Sequence, residues 1–251
     1  MKSQRIAFLE LFAQSTPLLK LIFLNHSGEP AKLLNDISTI DMLADENSTL
    51  DFINYCTSHK HVNTISIIPQ YRKTEITIEF KDRSELKFYL LKSMIRKALA
   101  CLPIDDIRKE SYVNEFNMLV SAPHHHYEYV FLSCQFAGMP FAERYKTYFS
   151  AFDFENRTKI FRYIQPRYDL VINNLEELYT PKASTLLKIM VGLRKDKRNS
   201  LFRMFLRVIE YGFFNLAGIM TKKVVQVFPS SGDSTETAGS RKNNTAGQAV
   251  L

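Results

Sequence analysis

The hydrophobic spacing changes period once along this chain, and that change limits the fold class. Between Thr64 and Leu91 the apolar residues come in short runs: Thr64 to Ile68, Glu75 to Phe80 and Leu86 to Leu91. Runs of this length and alternation read as strands, with successive side chains on opposite faces of a sheet. Lys81-Asp82-Arg83-Ser84 joins the last two as a hairpin. From Pro123 onward Tyr127, Val130, Phe131, Cys134 and Gln135 follow a three-to-four spacing, the period of a helix.

Upstream, Ser3 to Ala13 carries a helical stripe of Ile6, Leu9 and Phe12, and Pro17 is expected to end it. Leu18 to Leu24, Lys32 to Asp36 and Ile40 to Leu43 read as strands, the second followed by a turn. Ser48 is the expected N-cap of a helix running to about Ser58. Downstream, Phe141 to Phe149, Glu155 to Ile164, Leu170 to Leu178 and Ser184 to Leu193 read as helices, with Pro166 and Pro181 separating three of them. Ser200 to Met220 reads as one long helix. From Pro229 the chain is Ser, Gly, Thr and Asn, too poor in large apolar groups to offset its ordering entropy. The expected architecture is α+β. A mixed sheet with helices spans residues 1–122, a helical bundle 123–228, and a disordered tail 229–251.

Charge narrows the function classes. The formal net charge is +7. Eight basic residues against two acids lie between Arg194 and Lys223, so most of the excess sits in that segment. A local basic patch is expected, rather than a general nucleic-acid coat. Cys56, Cys101 and Cys134 are odd in number and widely spaced, which suits free thiols in a reducing compartment. With Glu10 interrupting the N-terminal apolar stretch and no run of about 18 uncharged apolar residues, the expectation is a cytoplasmic protein, at most peripheral to a membrane. No GxGxxG, Walker A, HExxH or GxSxG motif occurs.

Three groups of residues carry candidate chemistry. Asp41 projects from an apolar strand, opposite to Ile40 and Met42, and a carboxylate so placed suits a divalent metal such as Mg²⁺. An edge strand with Asp41 in solvent is the plain alternative. His124-His125-His126 follows Pro123. Three successive helical residues point about 100° apart and cannot all face one ion, so a polar first helical turn is expected. His124 and Glu128 share a face. Arg194, Lys195, Lys197 and Arg198 precede the long helix, and Arg203 and Arg207 share one of its faces. Together they suit phosphate or an anionic membrane surface. Aromatics do not interleave with the basic run, which weakens single-strand nucleic-acid binding.

The stretches Lys32 to Asp36, Ile40 to Asp45, Glu85 to Leu91, Asn114 to Pro123 and Glu143 to Phe149 resemble a bacterial nucleotidyltransferase-fold domain. More narrowly, they resemble the N-terminal module of proteins from surface-polysaccharide gene clusters, where a thymidylate-kinase-like P-loop domain follows. Coverage runs from about Leu18 to Asp169. The resemblance implies a nucleotide or phosphosugar ligand and Mg²⁺. It also implies two acids flanking one apolar residue, where this chain has Thr39-Ile40-Asp41, and a third acid where it has Tyr89. Two-metal phosphoryl transfer needs paired carboxylates. The implied domain is therefore catalytically degenerate unless Asp36, Asp45 or Glu79 substitutes. On the same resemblance Lys222 to Phe228 reads as the start of the strand before the P-loop, and the tail as a truncated or frameshifted kinase start. The competing function is a non-enzymatic module that binds an anionic membrane surface or nucleic acid through residues 194–223.

Overall fold

A computed structural model describes residues 4–26, 39–217 and 223–226. Helix α1 (Gln4–Leu19) leads into β1 (Ile22–Phe23) and β2 (Ile40–Leu43), then α2 (Glu46–Ser58). An antiparallel meander follows: β3 (Val62–Gln70), β4 (Lys73–Phe80) and β5 (Glu85–Leu91). A small hairpin, β6 (Ile95–Arg96) with β7 (Leu99–Ala100), precedes α3 (Ile104–Glu110). Then come β8 (Tyr112–Val113), β9 (Leu119–Val120) and the helices α4 (Pro123–Ala137), α5 (Glu143–Ser150), α6 (Phe154–Tyr168), α7 (Ala183–Lys195) and α8 (Leu201–Ala217). The last described element is β10 (Lys223–Gln226). The main sheet has eight strands in the order β10-β3-β4-β5-β2-β1-β9-β8 and is mixed, with β2 parallel to β5 and β1 parallel to β9. The fold is α+β, as the change of period implies.

Two apolar clusters lie on the sheet's two faces. Phe8 and Phe12 of α1 and Phe52 of α2 pack on Phe23, Phe80 and Phe88, with Phe12 meeting Phe88 edge-on at 5.5 Å between ring centroids. On the other face Ile22, Leu43 and Leu91 share a cluster with Tyr127, Phe131, Phe149, Tyr168 and Ile189, so residues before and after Pro123 have a core in common. Helix α7 approaches α6 at close range. A Cβ on Gly192 would overlap the carbonyl oxygen of Arg167, so the contact requires glycine.

Several local expectations are corrected. Pro17 lies inside α1, which ends instead at Lys20 in the left-handed region, φ 53°. The Ala13 carbonyl, left without a donor by the proline, accepts the Thr16 hydroxyl at 2.8 Å. Leu18 and Leu19 are thus helical and the following strand is short. Pro166 lies inside α6, which ends at Asp169, φ 52°. Between Leu170 and Leu178 the described helix is a single 3₁₀ turn, Leu175–Leu178, capped by Asn174. Asp45, not Ser48, caps α2: its Oδ1 accepts the Ser48 amide at 2.8 Å. The expected strand at Lys32–Asp36 and the tail 229–251 lie outside the described residues. Among the described residues no helix is long and apolar enough to cross a membrane.

Candidate ligand-binding cleft around Asp41

Asp41 stands on β2, which lies between β5 and β1 inside the sheet rather than at its edge. Ile40 and Met42 face the α1–α2 core, so Asp41 faces the helical layer, as strand alternation requires. Its register partner on the parallel strand β5 is Tyr89, and the partner of Tyr89 on β4 is Glu75. The two positions where the resemblance implies neighbouring carboxylates are therefore side by side, with tyrosine in one of them.

The Asp41 carboxyl is tightly held. Oδ2 accepts the Tyr129 hydroxyl at 2.7 Å and the Asn25 amide at 3.1 Å, and Asn25 Oδ1 accepts the Asp41 backbone N–H at 2.7 Å. Oδ1 is enclosed and has no hydrogen-bond partner among the described residues. Burial pushes the carboxyl up from its ordinary 3.8 to about 6, against the Tyr129 hydrogen bond and the charges of Lys73, Arg144 and Arg96.

Asp41 opens onto a cleft of about 750 Å³ lined also by Tyr71, Lys73, Tyr89, Arg96, Tyr129 and Tyr211. The Lys73 ammonium sits over the Tyr89 ring, 4.0 Å from its centroid. Burial, and secondarily Arg96, lower the Lys73 pKa. Tyr71 meets Tyr211 of α8 edge-on at 5.5 Å. Cations beside tyrosine rings that line a cleft suit a ligand that combines phosphate with a flat ring. A pair of Mg²⁺ ions does not fit the described residues. Such a centre needs paired carboxylates, whereas Asp41 offers Oδ1 alone and Thr39 and Tyr89 offer none. Asp45 is committed to its cap. Glu79 accepts the Thr64 hydroxyl at 2.8 Å near the β4–β5 turn, and Asp36 lies outside the described residues.

The expected polar first turn of α4 is corrected for two of its three histidines. His125 and His126 are fully buried, while His124 is part-buried. His126 stacks on His26 with ring centroids 4.2 Å apart, and burial holds both rings neutral by lowering their pKa values. The signal missed in the sequence is the composition of α4, whose residues 125–132 are buried on every side.

The basic segment divides in two. Arg198 pairs with Asp196, and Arg207 donates to the carbonyls of Ala98 (3.0 Å) and Arg198 (2.6 Å) and to Asn199 Oδ1 (2.8 Å). Those two hold the chain together. Arg194, Lys195, Lys197 and Arg203 are exposed. Lys73, Arg96, Tyr129 and Asn25 escape sequence reading because they come from four separate elements and no spacing relates them.

No family model and no curated protein matches this chain. Among solved structures it is similar to the polyadenylate synthase of Megavirus, at 9% identity and a TM-score of 0.30, over 88% of this chain and 50% of that one. The chain thus spans about half of that protein's length.

Proposed function

We propose that this chain is a nucleotidyltransferase-fold protein that binds a nucleotide or phosphosugar in the Asp41 cleft and does not transfer it. The observation that carries the reading is the pairing of Asp41 with Tyr89 on adjacent parallel strands, with Lys73 over the Tyr89 ring. A buried carboxyl whose charge is disfavoured, set in a cleft among cations, is a candidate functional group. Lys73 and Arg96 are the phosphate contacts, and Tyr71 and Tyr89 supply ring faces. The phosphosugar, and a place in surface-polysaccharide synthesis, follow from the sequence resemblance. Members of the fold generally use Mg²⁺; among the described residues the paired carboxylates are missing, so the reading is binding without turnover.

Calorimetry with nucleoside triphosphates and a nucleotide sugar, each with Mg²⁺, tests it. The expected result is binding by one of them, weakened about tenfold by Lys73→Met, the loss of one charge-assisted contact of about 1.4 kcal/mol. No binding to any of these ligands, or binding indifferent to Lys73→Met, sinks the reading.

A second reading rests on α8. Leu201, Phe202, Phe205 and Phe213 are exposed on the helix that carries Arg203 and follows Arg194, Lys195 and Lys197. Apolar rings beside cations suit the surface of an anionic membrane. Co-sedimentation with phosphatidylserine vesicles is expected to fall with added salt and with Phe202→Ser/Arg203→Gln. Equal or stronger binding to a polynucleotide, or none to vesicles, removes the membrane in favour of nucleic acid or of neither.

A further inference from the structure

Where α3 ends and α4 begins, three metal-ligating side chains converge away from the Asp41 cleft. Glu110 is the last residue of α3, and His124 and His125 lie in the first turn of α4. His124 Nε2 is 3.0 Å and His125 Nε2 is 3.5 Å from Glu110 Oε2, and all three ligand atoms lie within 4.8 Å of one another. Two donors about 2.05 Å from one tetrahedral ion are about 3.3 Å apart, so two of these spacings bracket that value. The third, between the two imidazoles, is at most 4.8 Å.

His125 supplies an independent observation. Its side chain is 1% exposed, and among the described residues neither ring nitrogen makes a hydrogen bond, the 3.5 Å approach of Nε2 to Glu110 Oε2 included. A buried imidazole without a hydrogen bond costs free energy that a ligand to its lone pair would recover. The two cations that act on these rings are already committed: Lys159 to Glu155 at 2.7 Å and Arg167 to Glu128 at 2.8 Å. Tyr163 packs against both histidines, with ring centroids 4.7 and 5.2 Å away. Glu110 is half exposed and leaves a path from solvent.

We propose that Glu110, His124 and His125 form a binding site for one divalent transition-metal ion of the zinc class. Two imidazoles and one carboxylate are a donor set that Zn²⁺ and its first-row neighbours take, whereas Mg²⁺ and Ca²⁺ favour oxygen ligands. Three protein ligands leave a fourth position for water. The ion clips the end of α3 to the start of α4 across the β8–β9 hairpin, so it acts on stability at this joint. The site stands whether or not the Asp41 cleft takes a nucleotide.

The test is titration of the untagged, metal-stripped full chain with Zn²⁺ by calorimetry, with Co²⁺ as a spectroscopic probe. One equivalent of Zn²⁺ is expected to bind and raise Tm, and Co²⁺ to give the visible bands of a low-coordinate nitrogen–oxygen site. Glu110→Gln, at an exposed position that leaves the core intact, is expected to weaken Zn²⁺ by about 100-fold or more, because outer-shell losses alone cost about 10–100-fold. His124→Ala should do the same, and His61→Ala, at a second imidazole pair with His59, should change nothing. The proposal is overturned if the stripped chain takes up less than one equivalent. It is equally overturned if Glu110→Gln and His124→Ala bind like wild type.

Discussion

Arg167→Leu is expected to lower the unfolding free energy by about 3–5 kcal/mol, the cost of stranding a buried charge. Its partner Glu128 is wholly buried in α4 and receives Arg167 Nε at 2.8 Å, the Tyr163 hydroxyl at 3.2 Å and a short hydrogen bond from Tyr168. Burial pushes the Glu128 pKa up, and Arg167 is the largest influence holding it down. Without the guanidinium, two phenols remain to support a carboxylate inside the protein. It then takes up a proton or opens the α4–α6 contact. Arg167 also donates to the Cys101 carbonyl at 3.4 Å, so the loss spreads to the hairpin before α3. Urea unfolding followed by circular dichroism measures the cost. Replacing both partners, Arg167→Leu with Glu128→Met, should recover most of it, because an apolar pair leaves no charge behind. If the single variant costs under about 1 kcal/mol, Glu128 is not ionised in the native state and the pair is a neutral hydrogen-bond network.

Asp41→Asn has the opposite sign. The folded carboxyl keeps its proton up to about pH 6, whereas its ordinary value is 3.8. Between these values the native state binds more protons than the unfolded chain, so stability falls as pH rises through about 6. Asparagine carries no charge to desolvate, although its amide finds no acceptor at the enclosed Oδ1 position. The net expectation is a gain of about 2 kcal/mol at about pH 7.5, closing near pH 4. Denaturant unfolding of both proteins across this range measures the difference. Parallel pH profiles would show that Asp41 is ionised as easily in the folded protein as in a free chain. A gain means the wild-type chain carries a destabilising group in its cleft, the usual relation between a binding site and its scaffold.

The sheet was legible wherever one element's pattern sufficed. Alternation in Glu75 to Phe80 and Leu86 to Leu91 is local, and β4 and β5 form on it. The side of β2 that carries Asp41 follows from the same rule. Its surroundings do not, because Asn25, Tyr129, Lys73 and Arg96 reach it from the residues after β1, α4, β4 and β6. Proline misled at Pro17, because a threonine hydroxyl one residue earlier takes up the stranded carbonyl. The histidines misled because polarity suggested a surface, whereas α4 is packed on all sides. Glu128 and Arg167 are far apart in sequence, and a single sequence carries no signal that pairs them.

One consequence lies at the sheet's rim. Lys223–Gln226 returns after all the described helices to pair antiparallel with Ile67–Thr64. β3 is otherwise the outermost strand of a meander that forms from neighbouring residues. Its outward N–H and C=O groups are therefore covered by a segment synthesised long after them. During translation, or after a proteolytic cut before residue 223, that row is an open template for strands of other molecules. The late strand thus acts as an intramolecular guard against aggregation, and its docking closes the interval in which nascent chains can associate edge to edge.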